Sequence, residues 1–113
     1  MSIWNKTMLV VLTSAALCCA SAPIAAGADK IKVVTTIPDL ADMVREIGRD
    51  LVEVQSLTKG SEDIHMVPMK PSFLLVLNKA DLLFEIGLDM EHAWLPDLLY
   101  NCRNDRIQPG RPG

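Results

Sequence analysis

His65 and His92 are the only imidazoles in the chain, and His65 has the better surroundings for chemistry. It lies in the stretch GSEDIHMVPMKPS, residues 60–72, with Glu62 and Asp63 just before it. A neutral imidazole nitrogen ligates divalent transition metals well, and nearby carboxylates can add oxygen donors. One histidine does not make a tetrahedral site. Taken alone, these residues therefore leave a structural or solvent-facing role open, with Asp63 accepting hydrogen bonds from the turn backbone. His92 directly follows Glu91 in a helix-like run, where adjacent side chains point to different sides, so it is read as a surface residue and not as a ligand. Met66 and Met69 could bind soft copper(I), but they are expected to pack over the loop as adaptable apolar fillers. The chain has no GxGxxG, GxSxG, HExxH or phosphate loop, and Ser61 and Ser72 form no nucleophile-base set with the histidines. No enzyme activity is expected.

The elements around the loop alternate. Residues 31–36, IKVVTT, are β-branched and read as a buried strand. Pro38 and Asp39 open a helix that ends at Gly48, with Leu40, Met43, Val44 and Ile47 spaced to form one apolar face. Residues 51–57 alternate like a half-buried strand, and the flexible histidine loop follows. Pro71 and Ser72 introduce a short, deeply buried helix over residues 73–78. A third strand is predicted over residues 81–86 and a last helix over residues 91–100, with Trp94 in the core and Pro96 tolerated near the first turns. This alternation predicts an α/β fold with a mostly parallel sheet, flanking helices and ligand loops at the carboxyl ends of the strands.

The two ends of the chain read differently. Residues 1–28 carry Lys6 as their only charge, an apolar run over residues 8–20 and a terminal Ala26-Gly27-Ala28, the layout of a signal peptide cleaved after Ala28. Cys18 and Cys19 fit a lipid-anchoring box poorly, so release is favoured over anchoring. Residues 29–101 form the expected α/β lobe. Residues 102–113, with Pro109, Gly110, Pro112 and Gly113, read as an irregular end and as a loop cut open. Without residues 1–28 the net charge moves from −3 to about −4. That acidity, with no basic stripe, argues against nucleic acid as a partner. Cys102 is the only cysteine after the signal segment, and a partner beyond residue 113 would explain a lone thiol in an oxidising compartment.

Three segments together resemble the amino-terminal lobe of the zinc and manganese solute-binding proteins of bacterial ABC importers. TTIPDLADMVREIGRD is similar to that family's first strand-to-helix passage and VEVQSLTKGSEDIH to its second strand and ligand loop. PSFLLVLNKADLLFEIGLDMEHAWL is similar to the following helix, strand and Gly-Leu-x-x-Glu segment. The loop departs from the family at Ile64, where proline is usual, at Val67, where an aromatic is common, and at Met69, which takes the place of the mid-loop proline while Pro68 lies one position earlier. The resemblance implies the amino-terminal lobe of a two-lobed receptor, with His65 as one metal ligand and the other ligands in later sequence. It implies capture of a divalent ion outside the cytoplasm, zinc ahead of manganese, and delivery to an ABC permease. The competing expectation is a secreted α/β adhesion or interaction protein that carries no metal.

Overall fold

A computed structural model describes residues 29–111 of the chain, so the expected signal segment and its two cysteines lie outside the described residues. Three strands, β1 (Ile31–Thr35), β2 (Val52–Ser56) and β3 (Leu82–Phe84), form one parallel sheet in the order β2-β1-β3. Val33 of β1 pairs with Val54 on one side and Leu82 on the other, which makes β1 the central strand. The chain first steps from β1 to β2 and then crosses back past β1 to β3. The carboxyl ends of β1 and β3 therefore flank a topological switch point, where open α/β sheets form their binding crevices.

Helix α1 (Pro38–Gly48) joins β1 to β2, with proline in its first turn and Asp39 favourably placed at the positive end of the helix dipole. Its apolar stripe is less buried than its spacing predicts. Ala41 is the buried residue, while Met43 and Ile47 are 60% and 81% exposed. Gly48 is needed where the helix meets β2, because a Cβ there would come within 2.5 Å of the Val52 side chain. Arg49 then reverses the chain at φ 45°.

Helix α2 (Pro71–Asn78) begins at the proline, and only Phe73 and Leu77 of its apolar block are buried. Leu75 faces solvent, which corrects the expectation of a deeply buried helix. Successive side chains of β1 point to opposite faces of the sheet. Val34 joins the main core with Phe73, Leu77, Leu95 and Leu98, whereas Val33 is buried outside that cluster.

The last helix is shorter than predicted. Residues 88–94 form turns, with Leu88 and Asp89 at positive φ, and α3 is confined to Leu95–Asn101. Pro96 thereby sits in the first turn, where its missing N–H breaks no intrahelical bond. The segment after Asn101 carries one short turn of helix and packs against the core. Cys102 is 2% exposed, its thiol donates to the Leu99 carbonyl, and it fills space in the core. Ile107 closes the core from a 3₁₀ turn at Asp105–Ile107.

Asn104 fastens that segment. Its buried amide donates to the carbonyls of Leu77 and Ala80 at 2.8 and 2.7 Å, and its own carbonyl accepts from the Arg106 N–H. Asp81 adds a second tie through Arg106 and the Lys32 N–H. Replacing Asn104 by alanine removes both bonds and leaves the Ala80 carbonyl without its donor, while the Leu77 carbonyl keeps the Ala80 N–H, at a cost of about 1–3 kcal/mol. The variant is expected to lower the urea midpoint accordingly, and an unchanged midpoint would show that residues 102–107 do not belong to the folded unit.

Candidate functional site

The carboxyl edge of the sheet is organised by Thr36, which directly follows β1 and is fully buried. Its N–H donates to the Phe84 carbonyl of β3 at 3.0 Å, and its carbonyl accepts from both the N–H and hydroxyl of Thr58, just after β2. Its own hydroxyl donates to Glu91 Oε1 at 2.7 Å. Glu91 is 2% exposed, and its carboxylate also accepts from the N–H groups of Ile86 and Gly87 at 2.8 and 3.2 Å. A buried carboxylate is tolerable only when hydrogen bonds replace its lost water, and three donors do so here. Gly87, at φ 75°, bends the chain so that this can happen.

The Thr36–Glu91 contact therefore locks the loop after β3 to the end of β1. A second contact locks it to the histidine loop. The indole N–H of buried Trp94 donates to the Ile64 carbonyl at 2.7 Å, one residue before His65. Within the histidine loop, Asp63 accepts from the His65 N–H at 3.0 Å and starts the 3₁₀ turn Ile64–Met66. Glu62 accepts from the Lys59 N–H and from Lys70 Nζ, at 2.8 and 2.9 Å. Lys70 also lies over the Phe73 ring, 5.3 Å from its centroid. The loop expected to be flexible is thus braced at both ends and in the middle.

Val67, where the resemblance leads one to expect an aromatic, is a buried core residue. Met66 and Met69, expected to fill the loop, are instead largely exposed. Glu62 is held below the ordinary glutamate value, first by the Lys70 hydrogen bond and then by the Lys59 N–H. Glu85 is held above it, first by partial burial and then by the charge of Glu91.

His65 itself is exposed, and among the described residues its ring makes no hydrogen bond within the chain. Both oxygens of Glu62 and of Glu91 are engaged with nearby donors, Asp63 accepts through Oδ1, and the His65 imidazole is uncommitted. The structure also brings in His92, which sequence spacing had set aside. The two rings lie 6.5 Å apart, centroid to centroid, at 59°. Helix geometry does not govern His92, because residues 91–94 are turn and its neighbour comes from another loop. His92 also lines a cleft of about 510 Å3, with Glu85, Leu95, Leu99 and Tyr100. Among the described residues no group of three or more His, Cys, Asp or Glu side chains is arranged to hold a metal ion.

Sequence reasoning missed Thr36 and the structural role of Glu91. The Gly-Leu-x-x-Glu spacing was the available signal for Glu91, since a glycine turn followed by a glutamate can fold the carboxylate back onto its own backbone N–H groups. Thr36 had no such signal, because its partners lie in two distant segments.

Comparison with known proteins agrees with this architecture. A family model described as ZnuA, zinc-uptake complex component A periplasmic, matches residues 33–110. The metal ABC transporter substrate-binding lipoprotein FimA of Streptococcus parasanguinis is 31% identical over 98 residues, covering 84% of this chain and 32% of the relative. The manganese ABC transporter substrate-binding lipoprotein PsaA of Streptococcus pneumoniae is 34% identical over 79 residues, covering 67% of this chain and 26% of the relative. A crystal structure of ZnuA superposes with a TM-score of 0.63 at 32% identity, covering 71% of this chain and 31% of that one. The chain thus spans about a third of the length of the first of these relatives and less of the second.

Two outcomes test the bracing. Thr36→Val keeps the side-chain volume but removes one of Glu91's three donors, and is expected to destabilise the fold by about 1.5–3 kcal/mol in urea unfolding. A change below about 0.5 kcal/mol would mean that the contact does not hold the edge together. Glu62 has a lowered carboxyl pKa in the folded state, so its contribution is complete above the unfolded-state value and is lost as pH falls through the folded-state value. Glu62→Gln is therefore expected to flatten the acid side of the stability-pH curve. An acid limb as steep as the parent's would contradict the Lys70 brace.

Proposed function

This chain belongs to the ZnuA family of periplasmic zinc-uptake components, a family of solute-binding receptors for ABC transporters and not of enzymes, and from that premise we propose that it captures a divalent transition metal outside the cytoplasm through His65. The observation that carries this reading is the position of His65. It stands exposed on a braced loop at the carboxyl end of a parallel strand, with Asp63 holding its backbone N–H and Glu62 held by Lys59 and Lys70.

Zinc is the favoured ion. Imidazole suits zinc, whereas manganese prefers carboxylate, carbonyl and water oxygens, and in this loop both oxygens of Glu62 are already bonded. The manganese ABC transporter substrate-binding lipoprotein among the relatives keeps manganese as the alternative. Since the described residues hold no three-donor cluster, the chain contributes part of a coordination sphere. Delivery of the ion to an ABC permease, and residues 1–28 as the export signal, complete the proposal. The relatives named as lipoproteins support a place outside the cytoplasm, either released or anchored.

Zinc titration of the chain by calorimetry, in a buffer that does not chelate, tests the ligand assignment. His65→Ala is expected to weaken binding by at least about tenfold while leaving the thermal melt unchanged, since the side chain is exposed. Equal affinity in the two proteins would remove His65 from the site.

A further inference from the structure

The two histidines belong to different loops, yet the fold sets them side by side. His65 follows β2 and His92 follows β3, and the two strands flank β1, so both loops rise from the same edge of the sheet. The hydrogen bond from Trp94 to the Ile64 carbonyl joins these loops within two residues of each ring. Glu91, the immediate neighbour of His92, is fixed by Thr36, Ile86 and Gly87. Neither backbone is free to drift from the other.

The orientation of His92 also matters. Its Nδ1 contacts the Asp89 carbonyl, an acceptor only, so Nδ1 must carry the hydrogen. In the neutral ring the lone pair is then at Nε2. A ring N–H donated to a backbone carbonyl is the arrangement that fixes the tautomer and aim of metal-bound histidines.

Distance can be judged against coordination geometry. A ligating ring nitrogen lies about 2.0–2.1 Å from zinc, which places two imidazoles on one tetrahedral ion with centroids roughly 5 Å apart. The observed 6.5 Å exceeds this by an amount that rotation of the exposed His65 ring, which makes no hydrogen bond among the described residues, can close.

We propose that His92 is a second imidazole donor, which with His65 chelates one divalent ion across the gap between the loops after β2 and β3. The pair leaves two positions of a tetrahedral ion for water or for donors outside the described residues. This rests on the metal-capture reading above for the identity of the ion, and adds a ligand to it. Two imidazoles held by a shared scaffold bind an ion far better than one, because the second bond forms without bringing a new group from solution. The rival role for His92, a turn residue bonded only to Asp89, predicts no contact with metal.

The test uses zinc alone as the probe, added to the whole chain and to His65→Ala, His92→Ala and His92→Gln, with the ring nitrogens followed by NMR. Zinc is expected to shift Nε2 of His92 together with the His65 ring, and each single substitution should weaken binding by at least about tenfold. In His65→Ala, the His92 signal should stay still at zinc concentrations that saturate the parent. Parent-like affinity in both His92 variants, with a loss in His65→Ala, would overturn this inference and leave His65 as a lone ligand. Parent-like affinity in all three would overturn the metal-capture reading as well. Parent-like melts are expected of both His92 variants, and the His92→Gln form guards against reading a local packing loss as a lost ligand.

Discussion

The hydrogen bond from the Thr36 hydroxyl to the Glu91 carboxylate is the contact on which the functional edge depends. A three-stranded sheet with short helices has little core to spare, and its β3 strand is three residues long. What holds the loop after β3 in place is a buried charge that must be satisfied, not a large apolar surface. Glu91 gathers the Thr36 hydroxyl and the Ile86 and Gly87 N–H groups, and Thr36 in turn holds Phe84 and Thr58. Leaving any of these buried groups unpaired costs more than an ordinary hydrogen bond contributes. The ends of all three strands are therefore tied into one unit.

That unit explains how an exposed histidine can be well placed. His65 draws its position from neighbours, with Asp63 holding its N–H and Trp94 holding the Ile64 carbonyl. Glu62 and Lys70 close the loop from below, and Val67 anchors its far side in the core. The imidazole stays at the surface, where an ion can reach it, while the backbone that carries it is fixed. In the proposed metal capture, pre-organisation of this kind would spare the loop the entropy of ordering on binding.

The alternation of β-branched runs with helix-like periodicity was enough to predict a parallel α/β sheet, because each element has a local signature in its own residues. Pro38, Gly48 and Pro71 marked the helix limits they observe in the structure. What could not be read locally was what the elements do to one another. Met43 and Ile47 have helical core spacing but face away from the small sheet, and only the packing of α1 decides that. The segment around Asn104 has no helical or strand periodicity of its own and runs into Pro109, Gly110, Pro112 and Gly113. Its role is to bond carbonyls at the end of α2, some 24–27 residues earlier. The proximity of His92 to His65 was likewise hidden, since it depends on strand order and on a turn where a helix was expected.

The most direct test of the account is X-ray absorption at the zinc edge, on the chain loaded with less than one equivalent of zinc. The account predicts nitrogen scatterers at about 2.0–2.1 Å with the outer-shell pattern of imidazole rings, a pattern reduced in His65→Ala. A shell of oxygen alone, or an imidazole pattern unchanged by loss of His65, would contradict it.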